Sequence, residues 1–585
     1  GGAERPEITS QQKWGTGSIS IDFDLEGHTA QVTDRRGNTS TYQHNAAGQL
    51  VRYEDPSGAA WGYDLDDQGR LTAMTEPLGR STTYTYQEGE DRRSHGNVMS
   101  ITETADGRGG NGSGNSRTTS FEYESRTNQP TRIVDARGAV TEISRDAAGL
   151  PRSIVRAAGS SEASSTSIEY NAFGQPTRLT NPNGHVSRFE YFDEGESKGY
   201  LSMSRVDDGG LSLATHYESD SRGNVTRVTD PRGIQHHAKW NDADWLMERV
   251  EAATGGDGAS ALGYRTEFHY DENGNVVEEM VPTGDAGAPS MIRREFGPLD
   301  ELMRVAKPIG EGQGEAVTHF EYDENLNPKM IVAPAGQTTM TVYDERNLPM
   351  ESMLGMGTPE VVHQRSTFDA EGNRTVWVDG RGQSWETHFD GFSRPMMSAD
   401  PLGNQTHAAY DPAGNPIEVK AMDSSGTMLS MRHAEYDLLG RNTMVKDMLF
   451  GESVAAGEVM YRNVYDGVGN LVQQIDPLGR IHSFEYDGAE RRMKAVDPLG
   501  NRVEITLDAA GNPMHKVVHQ KTEAGGEVMV EERMNYDALG RYRETELVID
   551  ETNGEILNER PIDTTAVAEI EIGDDRPVAG PSELN

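Results

Sequence analysis

The residues that could carry chemistry are plentiful, but they recur instead of converging. Asp64-x-Asp66-x-Gln68-Gly69 opens like a calcium loop, with oxygens at alternate positions and glycine at the sixth. The twelfth position is Thr75 where such a loop needs a bidentate glutamate, so the segment reads as a turn. His236-His237 is an adjacent histidine pair without a helical His-Glu-x-x-His context or a second ligand pair at fixed spacing. Gly310-Glu311-Gly312-Gln313-Gly314 lacks the Lys-Ser/Thr of a phosphate loop. There is no cysteine and no Gly-x-Ser-x-Gly elbow. Paired carboxylates occur throughout, with none set apart as an acid and base. The expectation is a protein that is not an enzyme and takes no metal or cofactor.

What the acidic residues do share is spacing. Tyr465-Asp466 returns 21 residues later as Tyr486-Asp487, and Asp476-Pro477-Leu478-Gly479 returns 21 residues later as Asp497-Pro498-Leu499-Gly500. Asp400-Pro401-Leu402-Gly403 belongs to the second pattern. Tyr436-Asp437 with Gly440, Asp466 with Gly469, and Tyr536-Asp537 with Gly540 belong to the first. In Asp-Pro-x-Gly the carboxylate can cap backbone N–H groups two residues on, proline presets φ near −65°, and glycine takes the positive φ that closes a hairpin. In Tyr-Asp-x-x-Gly the aspartate and glycine do the same at the opposite edge. The tyrosine ends a strand, where its ring is expected to stack on that of the next unit.

Positioning such turns needs short strands. Alternation dominates and helical periodicity is nearly absent, as in Leu471, Gln473, Ile475 and then Phe484, Tyr486. The fold class is all-β: tandem hairpins forming a long antiparallel ribbon roughly 20 Å wide. Residues 1–19 read as a polar lead-in, 20–548 as the repeat region, and 549–585 as a divergent acidic segment with weak order toward its end. Most insertions replace an Asp-Pro-x-Gly turn: Arg156–Ser167, Ala252–Gly263, Gly310–Glu315, Leu354–Val361, Ala421–Ser430, Gly451–Gly457 and His519–Glu527. Gln87–Asn97 and Asp193–Gly199 lengthen the other edge. One margin is therefore expected trimmed and the other fringed.

Composition agrees. A 34% hydrophobic content suits a thin sheet, and 65 glycines with 26 prolines fall in register with the turns. A formal charge of −41 argues against nucleic acid and anionic lipid as partners. No run reaches the 18 or so apolar residues of a membrane span. No signal peptide opens the sequence, and Gly1 is not an initiator methionine, so the chain reads as a processed product or an excised piece.

Tyr-Asp-x-x-Gly-Arg/Asn followed by Asp-Pro-x-Gly at this interval, over roughly residues 20 to 548, resembles the YD repeat of Rhs proteins. That family includes polymorphic toxins, toxin-complex C components, wall-associated proteins and teneurins. The resemblance implies a ribbon wound spirally into a hollow cocoon, here complete or partial, that encloses a toxin or effector. Such a shell is secreted or injected from a bacterial cell, with a secretion apparatus as a further partner. It departs from family shells at the self-cleaving DPxGL-type motif: Gly403, Gly479 and Gly500 are followed by Asn404, Arg480 and Asn501, so no protease residues are assigned. Neither a toxin-like domain after residue 550 nor a PAAR-like tip before residue 20 is read. A second reading is a cell-surface adhesion or wall-associated module that binds a partner or glycan.

Overall fold

The computed structural model describes residues 10–12, 18–89, 93–252, 264–282, 290–310, 314–450, 455–521 and 526–549. The remainder, including most of the expected lead-in and the acidic C-terminal segment, lies outside these ranges. Among the described residues there is no helix, and 45 strands run from β1 (Ser10–Gln12) to β45 (Tyr542–Ile549). Ser10–Gln12, placed in the lead-in by sequence, pairs with β2 (Ser18–Asp24) and extends the ribbon backward.

Each strand pairs antiparallel with its neighbours in sequence, so the topology is one uninterrupted meander. Among the described residues the β1 edge pairs only with β2 and the β45 edge only with β44 (Glu527–Tyr536), so the described sheet does not close on itself. Strands are mostly five to seven residues long, as β7 (Leu71–Thr75) and β8 (Ser81–Tyr86) are. The longest strands, of nine residues or more, lie near the end of the ribbon. In the segments expected as loops at 421–430, 451–457 and 519–527, residues 421–422, 428–430, 455–457, 519–521 and 527 are strand, because β36 (Met428–Tyr436), β38 (Ala455–Tyr465) and β43 (Pro513–Lys521) lengthen to nine, eleven and nine residues. Alternating side chains let a hairpin grow outward as readily as a loop.

Contacts far apart in sequence show how the ribbon winds. The turn between β3 (Thr29–Thr33) and β4 (Thr39–His44) lies against the turn between β28 (Thr338–Tyr343) and β29 (Pro349–Leu354). The return therefore comes 25 strands on. The same offset joins Arg80 to Phe392, Arg137 to Asp437, Asn181 to Glu490 and Arg232 to Ala538. The ribbon makes just under two windings, with the Asp-Pro-x-Gly edge of the first lying on the Tyr-Asp edge of the second.

Among the described residues nothing thickens the wall. Of the buried apolar residues, Ala30, Ala59, Ala139, Ala157, Ala252, Ala306, Ala408, Ala434 and Ala495 are small, and only Met203, Phe392, Tyr410 and Val503 are larger. A two-layer sandwich would bury most of its inward Tyr, Phe, Ile and Leu side chains. Here they remain half-buried along rows such as Tyr42–Tyr53–Trp61 and Trp377–Trp385, whose ring centroids are 4.6 to 5.3 Å apart. The opposite face carries cross-strand ion pairs such as Arg178–Glu169 at 3.0 Å and Lys494–Glu485 at 3.0 Å.

Candidate functional site

The side chains singled out by sequence build two versions of one turn. In Asp466–Asn470 the Asp466 Oδ1 accepts from the N–H of Val468 (3.1 Å), Gly469 (2.9 Å) and Asn470 (2.8 Å), while Oδ2 accepts from Asn470 Nδ2 at 2.9 Å. Asp437, Asp487 and Asp537 follow the pattern, with Arg441, Arg491 and Arg541 Nε donating to Oδ2 at 2.6, 2.7 and 2.7 Å. The Asp-Pro-x-Gly turns match: Asp476 Oδ1 takes Leu478 N and Arg480 N at 2.9 Å, and Asp497 takes Leu499 N and Asn501 N at 2.8 Å. Asp400 takes Leu402 N and Asn404 N at 2.9 Å. Sequence reasoning expected the cap two residues on and missed the fifth residue, whose backbone and side chain complete it. Gly403, Gly440, Gly469, Gly479, Gly500 and Gly540 all have φ between 76° and 110°. Pro401, Pro477 and Pro498 occupy the second turn position, where proline needs no N–H.

The tyrosines do something other than the expected stacking. Beside β7 and β8 the paired register runs only from Ala73↔Thr83 to Thr75↔Ser81. The strands part toward the Tyr-Asp edge, and Tyr86 Oη donates to the Leu71 carbonyl across the gap at 2.6 Å. Tyr410 to Pro395 (2.6 Å), Tyr436 to Pro416 (3.1 Å), Tyr465 to Asn442 (2.7 Å) and Tyr486 to Leu471 (3.0 Å) repeat the latch. The repeat tyrosine is thus a hydrogen-bonding wedge. Tyr536 differs: its ring meets that of Tyr542 edge-on at 6.0 Å. Burial pushes the Tyr410 and Tyr436 phenols up from 10.0, keeping them as donors.

The other candidates resolve into structure. The Asp66 carboxylate is taken by Gln68 N and Arg70 N at 2.9 Å and Arg70 Nε at 2.6 Å, the same cap as in the other repeat turns. His236 and His237 are successive residues of one strand, Gln235–Trp240, and so point to opposite faces. Burial, then Arg227 and His236, lower His237 below 6.5. Residues 311–313 of the glycine-rich segment lie outside the described ranges. Among the described residues no group of three or more His, Asp or Glu is arranged to hold a metal ion.

What converges is the seam between windings. Arg36 donates to the Tyr343 and Asp344 carbonyls at 2.9 Å, and Asn325 Nδ2 to Asp34 Oδ2 at 2.6 Å. Arg137 donates to the Asp437 carbonyl at 2.8 Å, Ser164 Oγ to the Gly467 carbonyl at 2.8 Å, Asn183 Nδ2 to Asp466 Oδ2 at 2.9 Å, and Arg232 to the Ala538 carbonyl at 3.0 Å. The tightest part is a clasp formed by residues 105–115. It exchanges backbone hydrogen bonds with the next winding, Gly391 N to Gly109 O at 2.6 Å, Asp106 N to Gly391 O at 3.2 Å and Tyr410 N to Asn111 O at 3.2 Å. Phe392, 3% exposed, fills the clasp beneath the Arg117 guanidinium, 4.5 Å from the ring centroid. Asp390, fully buried, holds Arg394 through Nε at 2.9 Å and Nη2 at 2.6 Å. Arg394 Nη2 also reaches Ser113 Oγ at 2.7 Å. The clasp escaped the sequence reading, although Gly107, Gly109, Gly110, Gly112 and Gly114 in an off-register insertion were the available signal.

The RHS Repeat family model matches residues 23–64, 66–108 and 465–502. Those three stretches carry RHS repeats. It is 27% identical over 442 residues, 68% of its length and 28% of the relative's, to "Double-stranded DNA deaminase toxin A" of Burkholderia cenocepacia. Over 326 residues, 52% of the chain and 19% of the relative, it is 25% identical to "Probable deoxyribonuclease RhsB" of Dickeya dadantii. The chain therefore spans about a quarter of the first relative's length and about a fifth of the second's. A solved structure of TcdB2-TccC3 is similar at 13% identity and a TM-score of 0.40, covering 92% of this chain and 39% of that one.

Proposed function

We propose that this chain is a non-enzymatic wall segment that encloses a toxin or effector polypeptide and holds it for delivery outside the producing cell. The observation that carries this reading is the seam. A single-layer ribbon that lies on itself every 25 strands, held edge to edge, surrounds a space. At about 4.8 Å per strand, 25 strands trace a circumference of about 120 Å, hence a wall about 38 Å across. One layer of inward side chains leaves a lumen of about 28 Å, the scale of a small folded domain.

The chemistry supports containment. The recurring carboxylates of the repeat are committed to backbone N–H groups and to arginines or asparagines, and the tyrosines to carbonyls, which leaves these groups to hold the wall in shape. Relatives named as a deaminase toxin and a deoxyribonuclease, each much longer than this chain, are consistent with cargo carried elsewhere in such polypeptides. The cargo, or the remaining parts of a larger RHS polypeptide, is the first partner, and a secretion apparatus the second. Secretion or display at a cell surface follows from the same reading.

The test is protease protection. Particles purified from the producing cell are treated with a broad protease and then denatured for mass spectrometry. Peptides from a second polypeptide, or from a domain outside the wall, that survive digestion until denaturation support containment. A wall that digests alone, with no protected contents, rejects it.

A further inference from the structure

The face of the sheet that carries the ion pairs changes chemistry part-way along the ribbon. Glu169, Arg178, Arg188 and Arg205 stand directly opposite one another on four successive strands. Glu321 opens the same row later in the chain, but there it continues as Met330, Met340, Met353 and His363. These lie on β27 (Pro328–Val332), β28, β29 and β30 (Val362–Phe368). Three arginine positions have become three methionines. The wall is one sheet thick, so among the described residues no second layer presses on this face and asks for apolar side chains. His363 is held in one orientation: its Nδ1 lies 3.0 Å from Glu351 Oε1, which also accepts from Arg365 Nε at 2.9 Å. Hydrogen bonds from His363 and Arg365 hold the Glu351 carboxyl below the ordinary 4.5. As an ionised carboxylate it only accepts, so the imidazole proton sits on Nδ1 and Nε2 keeps a bare lone pair. Glu351 is two residues before Met353 on the same strand and face, so this bond lays the ring across β29 beside Met353.

We propose that Met340, Met353 and His363 form a binding site for a soft monovalent cation, Cu(I), on the face of the wall. Thioether sulfur is a soft, neutral donor that selects Cu(I) over the harder ions a carboxylate set takes. Adjacent strands are about 4.8 Å apart, a step that the three rotatable bonds of methionine let its sulfur cover. Two thioethers and one imidazole nitrogen, on three neighbouring strands, therefore converge on one ion. A carboxylate on the far nitrogen of the ring, as Glu351 is here, orients a ligating imidazole and raises its basicity. The chain has no cysteine to compete with the thioethers.

Oxidation footprinting of the purified chain provides the test, in chloride-free buffer with Ag(I) as a redox-inert probe. Dilute peroxide converts an accessible methionine to its sulfoxide, and a sulfur bound to the ion is shielded. Peptide mass spectrometry should show Met340 and Met353 protected, with protection complete at one equivalent of Ag(I). Met350, 45% exposed on β29 but outside the row, should oxidise at an unchanged rate. His363→Ala should raise the Ag(I) concentration needed for half-protection by about ten- to a hundred-fold. An anaerobic titration against a chromogenic Cu(I) chelator then reads the proposed ion itself. The wild-type chain should withhold one equivalent more than the Met340→Leu, Met353→Leu variant, whose substitutions conserve volume and should leave circular dichroism unchanged. Met340 and Met353 oxidising equally with and without Ag(I) overturns the proposal. Protection that extends equally to Met350, protection that His363→Ala leaves intact, or Cu(I) uptake that the double variant matches does so too. None of these readouts depends on what the wall encloses.

Discussion

Replacing Asp390 by alanine should open the seam without unfolding the ribbon. Asp390 is fully buried and accepts from Phe392 N (2.9 Å), Arg394 N (3.0 Å), Arg394 Nε (2.9 Å) and Arg394 Nη2 (2.6 Å). Its loss leaves a guanidinium that is 12% exposed without its counter-ion and two turn N–H groups without acceptors. Breaking a buried pair by removing one partner costs about 3–5 kcal/mol. In a repeat architecture that loss is felt by nearest neighbours rather than by the whole chain. It should therefore appear as local opening of residues 105–115 and 390–394, where Gly391, Asp106 and Tyr410 donate across the seam. Hydrogen exchange by mass spectrometry reads this directly. A 3–5 kcal/mol change corresponds to roughly a hundred-fold to several-thousand-fold faster exchange there, given about 1.4 kcal/mol per factor of ten. Asp400→Ala, which removes a similar cap on the outer rim, should cost about 1–2 kcal/mol and leave the clasp unchanged. The reasoning is refuted if Asp390→Ala leaves exchange across 105–115 at the wild-type rate, or if Asp400→Ala perturbs it equally.

Gly391→Ala should loosen the same clasp by steric means, since a Cβ there would sit 2.7 Å from Asp106 N and 2.8 Å from the Gly109 carbonyl oxygen; faster exchange confined to 105–115 is the expected readout. Tyr436→Phe removes one neutral latch to the Pro416 carbonyl and should lower stability by about 1 kcal/mol in thermal unfolding, with the ring's packing kept. Acid should open the seam only at low pH. Burial alone would raise Asp34, Asp466 and Asp508, but hydrogen bonds from Asn325, Asn183 and Asn512 among others hold each below the ordinary 3.8. A carboxylate lowered in the folded state stabilises fully above its unfolded value and loses that contribution as pH falls through its folded one. Exchange at the seam should be flat from pH 7 to about pH 4.5 after correction for intrinsic rates and should rise below pH 3.8; opening between pH 5 and 6 would contradict the assignment.

The fold was legible because its instructions are local. A turn every ten or so residues, with aspartate to cap it and glycine such as Gly469 or Gly500 at positive φ, announces antiparallel hairpins whatever the tertiary context. Where the fourth turn residue is not glycine, sequence gave less warning. Asn347, Ser393 and Glu490 all take positive φ at 67°, 59° and 65°, and two of them reach across the seam, Asn347 to Arg36 and Glu490 to Asn181. The tyrosine role was misjudged because ring stacking depends on neighbouring units running parallel to the last residue. The strands instead part at that edge, opening a carbonyl that a hydroxyl reaches better than a ring. The seam itself was out of reach. Arg137 and Leu438 are about 300 residues apart, and nothing in a 21-residue period states how many units complete one winding. That number is set by the twist and curvature accumulated over 25 strands.

A density map of the purified particle at about 8 Å tests the central claim most directly. The account predicts a hollow body with a wall one sheet thick, about 38 Å across at mid-wall, showing two stacked bands joined along a continuous groove. A solid two-layer sandwich, or an extended ribbon whose bands never meet, would contradict it.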